Sequence, residues 1–274
     1  MITCLLSTFA EDDLLKSTCD FHPDRVMKGE VVYEVIKVIN GIPLFLSEHL
    51  QRFQQSLIHT QINGPSEAYI KESLRMLIAS NGLKQGNIRF QVSRNAGERS
   101  RWYAWVSPHQ YPNAEQRLQG VATGVFRAQR PHPEVKRWNE QLKSEVTQYL
   151  KSTGYYEVLL TDPQGFITEG SRSNVFFVRN NQLITPMAEQ VLHGVTRGAI
   201  IQLAIEKGID FCECPISTKE LPQMEAAFLS GTSPGILPIH SIDQLRYRTD
   251  NMIVNTLTGT YNQHCSDDLH HFEW

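Results

Sequence analysis

Apolar and polar residues alternate along EVVYEVIKVINGIPLFLS, residues 30–47, on both sides of Asn40-Gly41. A period of two broken by that dipeptide predicts two antiparallel strands joined by a tight hairpin turn. The period then lengthens: in SEHLQRFQQSLIHTQI, Leu50, Phe53 and Leu57 recur at helical spacing, and Ser47 is the expected cap. A second helix is predicted over residues 66–79, ahead of Asn81-Gly82, and NIRFQVSR and RWYAWVSP predict another strand pair around the turn NAGERS. Residues 1–108 therefore read as a small α+β domain.

SPHQYPNAEQR is polar and carries two prolines, so the linker is placed at 109–118 and a larger domain at 119–274. Its predicted elements begin with a strand at GVATGVFRAQ and a helix at NEQLKSEVTQYLKSTG closed by Gly154. Strands at YEVLLTD, SNVFFVR and QLITP follow, then a helix from just after Gly194 to Gly208 and a strand running into a tight turn in AAFLSGTSPGILPI. Strands outnumber helices in this half. The expected fold class is α+β in two domains.

Charge narrows the partners. Among 274 residues there are 26 lysines and arginines against 29 aspartates and glutamates, a formal net charge of -3, so no global positive field favours nucleic acid or an anionic membrane. A small-molecule partner is expected. The five cysteines (Cys4, Cys19, Cys212, Cys214, Cys265) are scattered and odd in number, which fits a reducing compartment better than a disulfide framework. One C-x-C pair without a counterpart is not a zinc pattern, and no metal is expected. The opening MITCLLSTFAEDDLLK has no basic leader, and no window approaches the roughly 18 apolar residues of a membrane span, so the chain is expected to be soluble and cytoplasmic.

Several residues carry candidate chemistry, each with a plainer reading beside it. Glu169, in FITEGSRSNVFFV, is a carboxylate between two apolar runs, or simply the acid of a turn. Thr232, in LSGTSPG, sits in a turn of small residues able to turn N–H groups toward an anion. In LHGVTR, Val195 and Thr196 follow a glycine at a helix start, where unpaired N–H groups favour a phosphate; such a glycine also serves as an ordinary cap. Arg52 and Lys136, in EHLQRF and VKRWN, read by themselves as surface charges.

In this order, YEVIKVING, LSEHLQRF, VKRWN, ITEGSRSNVFF, LHGVTR and SGTSPGILPI resemble the class IV aminotransferases, pyridoxal-phosphate enzymes of fold type IV. That family includes branched-chain and D-amino-acid aminotransferases and aminodeoxychorismate lyase, and the resemblance runs from about Val31 to Ile239. It implies a small N-terminal α/β sandwich domain, a larger strand-rich domain that binds pyridoxal 5'-phosphate, and a homodimer. By resemblance Lys136 is the Schiff-base lysine and proton shuttle, with Lys143 as fallback, a role that needs a neutral amine. Glu169 reaches the pyridine nitrogen, Leu192 packs on the ring face, and Arg52, Val195, Thr196 and Thr232 take the phosphate. Tyr33 matches a substrate-pocket tyrosine, while Arg99 and Arg101 either clamp a substrate carboxylate or form a solvated hairpin. The run RVMKGEVVYE departs from the family's usual R-G-x-x-F-G-D-G, which leaves the substrate mouth and dimer contacts open. The leading expectation is transfer of an amino group between an amino acid, branched-chain or D, and a 2-oxo acid. The alternatives are aminodeoxychorismate lyase, giving 4-aminobenzoate and pyruvate, and a cofactor-binding protein that has lost catalysis, against which Lys136 argues.

Overall fold

The alternation over the first hairpin becomes one ten-residue strand, and the rest of the first unit is built against it. The computed structural model describes residues 8–12, 14–17, 21–109 and 111–274. The chain divides into two compact units: Met1–Gln110 with Val135–Trp138 and Cys265–Trp274, and Tyr111–Glu134 with Asn139–His264.

In the first unit β1 (Thr8–Glu11), β2 (Leu14–Ser17), β3 (Glu30–Ile39), β4 (Ile42–Pro43), β5 (Gln85–Arg94) and β6 (Arg101–Ser107) form an antiparallel sheet in the order β2-β1-β6-β5-β3-β4. Asn40 and Gly41 both take positive φ, 54° and 80°, the geometry a tight hairpin demands of its two central residues. Val32, Ile36, Ile88, Phe90 and Trp102 share one face of the sheet and pack with Phe53 and Leu57 of α1 (Leu46–Thr60) and Leu74 and Leu77 of α2 (Glu67–Ser80). The helix start differs from the expected cap at Ser47. The cap position lies two residues earlier, at Phe45 in the left-handed region (φ 54°), with no side-chain cap, and α1 begins at Leu46. Leu44, Phe45 and Leu46 are all buried, and burying them fixes the entry of the helix; the Phe45 N–H donates instead to Asp268, at 2.8 Å.

The second unit carries β7 (Val121–Arg127), β8 (Glu157–Thr161), β9 (Phe166–Gly170), β10 (Asn174–Arg179), β11 (Gln182–Thr185), β12 (Phe211–Glu213), β13 (Ile216–Ser217), β14 (Ala226–Gly231), β15 (Gly235–Ile242) and β16 (Leu245–Arg246). They form a mixed sheet in the order β12-β11-β10-β14-β15-β7-β8-β9-β13, with β16 against β15. Residues 114–119, inside the polar segment, make a short helix α3 (Ala114–Gln119), closed at its start by a capping box between Asn113 and Gln116. α4 (Glu140–Thr153) ends at Gly154 in the left-handed region, and α5 (Val195–Glu206) follows β11. α6 (Met252–His270) is a helix that the sequence patterning did not predict. Cys212, Cys214 and Cys265 are free thiols; Cys4 and Cys19 lie outside the described residues. No helix among the described residues is long and apolar enough to cross a membrane.

One charged group interrupts the apolar face of the first sheet. Glu34 is fully buried, and its carboxylate accepts from Arg52 Nε and Nη2, both at 2.7 Å, with His49 Nδ1 at 2.9 Å. His49 and Arg52 lie three residues apart on α1, so one helix face presents both to the strand. Burial pushes the Glu34 carboxyl upward, but Arg52 and His49 more than offset it and hold the group below its ordinary range. Burial also pushes His49 below its ordinary value, against the pull of Glu34. Both groups therefore bind protons more weakly in the folded chain than in the unfolded one. Their contribution is present above the unfolded values, about 6.5 for His49 and about 4.3 for Glu34, and is lost as pH falls through the folded ones. The thermal midpoint should drop as pH is lowered from 7 to 5, and His49→Gln should flatten that segment of the profile, as followed by circular dichroism. An unchanged slope in the variant would show that His49 is not the group responsible.

Candidate active site

Lys136 is held by backbone pairing rather than by a helix of its own. The Tyr33 N–H donates to the Lys136 carbonyl (3.1 Å), the Trp138 N–H to the Val31 carbonyl (2.9 Å), and the Lys136 N–H to Ser56 Oγ of α1 (3.2 Å). Residues 135–138 thus lie along β3 as a short extra strand, bridged at Val32 and Arg137. The Lys136 ammonium nitrogen stands 5.0 Å from the centre of the Tyr33 ring, and its charge contributes to lowering His49. Around Tyr33 the sheet supplies a cation. The Arg89 guanidinium lies 4.1 Å from the Tyr33 ring centre and 4.5 Å from that of Trp138, within the reach of cation–π attraction. Arg89 Nε donates to Gln91 Oε1 (3.1 Å), and Gln91 donates on to the Val26 carbonyl (2.7 Å). Asn87, Arg89, Gln91 and Ser93 form a polar row along β5, and all four are buried.

In the second unit, the end of β9 carries Glu169, only 2% exposed. One carboxylate oxygen lies 3.1 Å from Arg130 Nε, and the other accepts the Leu192 N–H at 3.2 Å. Asn174, opening β10, donates its side-chain amide to the Leu192 carbonyl at 2.9 Å. Leu192 is therefore held at both its N–H and its C=O. Two residues on, a Cβ at Gly194 would collide with the Asn174 side chain, so glycine is what lets the chain pass here. α5 then starts at Val195, and Gly194 gives it no side-chain cap. The first N–H groups of a helix have no partner within it, and the helix dipole adds partial positive charge at that end. Arg197 anchors the first turn through the Pro186 carbonyl (3.0 Å) and Glu213 (3.1 Å). Burial lowers the pKa of Arg197, and Glu213 opposes the shift. Thr232 lies in the turn between β14 and β15, two residues beyond Ser230, which pairs in register with Asn174. The Ser230 hydroxyl is buried and has no hydrogen-bond partner among the described residues.

The structure groups the expected residues as two sets, each within its own unit. Lys136 and Tyr33 adjoin in the first, where Arg52 is committed to Glu34. Glu169, Leu192, Val195 and Thr196 are linked in the second. Arg99 and Arg101 are absent from the Tyr33 cluster and line a cavity of the first unit instead. Pattern reading missed Glu34, His49, Arg89 and Arg130. The alternation Asn87-x-Arg89-x-Gln91-x-Ser93 was a usable signal, since it is a polar face too regular for a loop, and the spacing of His49 and Arg52 was another. Arg130 sits in a proline-bounded loop, and no periodicity marks it.

The sequence matches the amino-transferase class IV family over residues 31–242. A D-alanine aminotransferase of Bacillus licheniformis is 30% identical over 226 residues, covering 78% of this chain and 80% of that protein. A putative branched-chain-amino-acid aminotransferase of Methanocaldococcus jannaschii is 30% identical over 233 residues, 80% of each chain. The crystal structure of the Escherichia coli branched-chain amino acid aminotransferase superposes with a TM-score of 0.83 at 25% identity, covering 94% of both chains. With the match covering residues of both units, and relatives 30% identical over about four fifths of the chain, the chain belongs to the class IV aminotransferases and is an enzyme of that family.

Proposed function

We propose that the protein is a pyridoxal-phosphate-dependent aminotransferase that moves an amino group between an amino acid, branched-chain or D, and a 2-oxo acid. The observation that carries this is the Lys136 amine standing against Tyr33 beside the Arg89 guanidinium. It offers an amine for proton transfer and a cation for a substrate carboxylate within one unit.

The donor set fits the cofactor on three counts: a buried carboxylate at Glu169, a helix start at Gly194 without a side-chain cap, and a buried Ser230 hydroxyl without a partner among the described residues. Pyridoxal phosphate, when bound, supplies a ring that withdraws electrons from the substrate Cα. Lys136 would bind its aldehyde carbon and, as the neutral amine, carry the proton to and from the substrate Cα. Glu169 would hold the proton on the ring nitrogen, and Leu192 would lie on the ring face. The N–H groups of Val195 and Thr196, the Thr232 hydroxyl and Arg52 would share the phosphate charge. Glu34 already takes two donors of Arg52, so this arginine would bring a fixed direction to the phosphate along with a charge that Glu34 partly offsets.

The test of the activity is a panel of amino acids with 2-oxoglutarate. Stoichiometric amino transfer is expected, and Lys136→Ala should abolish it. Release of pyruvate from aminodeoxychorismate without any acceptor would point to the lyase instead.

Glu169→Gln separates an electronic role from a role in the turn. The substitution removes the charge that faces Arg130 in a buried pair, so the thermal midpoint should fall in either case. The deciding number is the single-turnover rate of protein shown to be folded. A loss of about 100-fold or more, near 2.7 kcal/mol of barrier, is expected. A near-normal rate would leave Glu169 as a structural acid only.

We also propose that the enzyme works as a homodimer, since two-fold isologous pairing is the commonest assembly of soluble enzymes and the family resemblance implies it. Sedimentation at micromolar concentration should give twice the chain mass. An active monomer would refute the assembly.

A further inference from the structure

The second unit places two thiols on either side of one carboxylate. Cys212 and Glu213 belong to β12, and Cys214 follows directly. Side chains alternate along a strand, so the two cysteines share one face and Glu213 takes the other. The contacts agree: Cys212 and Cys214 both pack against the apolar cluster that contains Ile184, Ile216 and Leu221. Glu213 instead accepts the Ala188 N–H at 3.0 Å and lies 3.1 Å from Arg197 Nη2 in the first turn of α5. Arg197 is 5% exposed, its Nε has no hydrogen-bond partner among the described residues, and Glu213 is the carboxylate at ion-pair distance from it.

Both thiols are free and part-exposed, and they interact: burial raises the Cys214 pKa, and Cys212 raises it further. Arg179 of β10 opposes that shift and Glu220 adds to it, and these two are paired with each other at 2.8 Å. A two-residue step along a strand spans about 6.6 Å, the far end of the Cα separations of roughly 4.4–6.8 Å that a disulfide accepts. Joining the two sulfurs therefore requires β12 to buckle at Glu213. The position permits it. β12 is three residues long and lies at the edge of its sheet, paired only with β11 among the described residues, and the strand ends before Cys214-Pro215. A buckle at the middle residue turns its side chain, and a carboxylate that holds two fixed partners cannot keep both.

We propose that Cys212 and Cys214 are an oxidisable dithiol, closed to a disulfide by exchange with a small disulfide, and that closure draws Glu213 from Ala188 and Arg197 and loosens the start of α5. The thiolate of one cysteine attacks the small disulfide, forming a mixed disulfide and releasing one thiolate. The thiolate of the other then attacks the protein sulfur of that mixed disulfide, forming the Cys212–Cys214 bond and releasing the second. Two cysteine thiols are oxidised, one external disulfide is reduced to two thiols, and these take up the two protons. Only thiolates attack and burial keeps Cys214 protonated, so closure is slow near neutrality and accelerates as pH rises. Closure and its effect on α5 do not rest on the aminotransferase reading.

The test treats the reduced holoenzyme with glutathione disulfide near the ordinary thiol pKa of about 8.5, then removes the reagent and returns the protein to neutral pH. After alkylation, the peptide carrying both cysteines should be lighter by two hydrogens and unalkylated. Amide exchange should rise about tenfold at Ala188, which loses a charged acceptor. It should rise also at Gly198, whose N–H donates to the Gly194 carbonyl at 2.9 Å and closes the first turn of α5. Dithiothreitol should restore both rates, which decides the matter in the wild-type chain alone. Cys212→Ser/Cys214→Ser should keep the reduced rates after the same treatment. Pairing of either residue with one of the other three cysteines, a glutathione adduct that never closes, or a closed disulfide with unchanged exchange at Ala188 overturns the proposal. An equal rise in the double variant traces the effect to another thiol and overturns it as well.

Discussion

Two backbone hydrogen bonds, from the Tyr33 N–H to the Lys136 carbonyl and from the Trp138 N–H to the Val31 carbonyl, make the first unit the scaffold that holds Lys136. A lysine has a long flexible stem and loses its rotamer freedom only if something else fixes its root. Here the root is fixed to β3, a ten-residue strand, and Ser56 of α1 holds it from a second element. Much of the remaining architecture of this unit keeps the two faces of β3 distinct. One face carries the apolar side chains that receive α1 and α2. The other carries Tyr33 and, on β5, Arg89 and Gln91.

Placing Glu34 on the apolar face looks like a violation of that division, and its partners explain why it holds. An isolated buried carboxylate would be far too costly, but a bidentate guanidinium and an imidazole satisfy both oxygens. The pair also fixes the rotation of α1 about its own axis, since only one helix face presents His49 and Arg52 together.

The second unit solves a related problem with different means. Glu169 and Asn174 come from strands consecutive in the chain, β9 and β10, which are not neighbours in the sheet, and grip the N–H and the C=O of the same residue, Leu192. That grip, and the close approach allowed by Gly194, set where α5 begins and so where its unpaired N–H groups lie. Arg197 then fixes the first turn from the other side. A glycine that reads in the sequence as an ordinary cap is required here by contact with a side chain twenty positions earlier.

The sequence by itself determined the elements. The Asn40-Gly41 hairpin, the strand pair around NAGERS and the helices ending at Ser80 and Thr153 follow from local periodicity and turn chemistry, which depend on neighbours a few residues away. The linear order of its motifs was also enough to identify the family, and with it a candidate role for Lys136 and Glu169. Tertiary structure alone decided the partners. That Glu34 answers Arg52, that Arg89 lies between Tyr33 and Trp138, and that Arg130 faces Glu169 depend on strand register and on loops meeting across tens of residues. The same holds for Ser47, which has the right chemistry for a cap but yields to the burial of Leu44, Phe45 and Leu46. Local signals report on backbone preference, worth a fraction of a kcal/mol per residue, whereas burial and buried charge pairing are worth several. Where the two disagree, the larger energy sets the geometry.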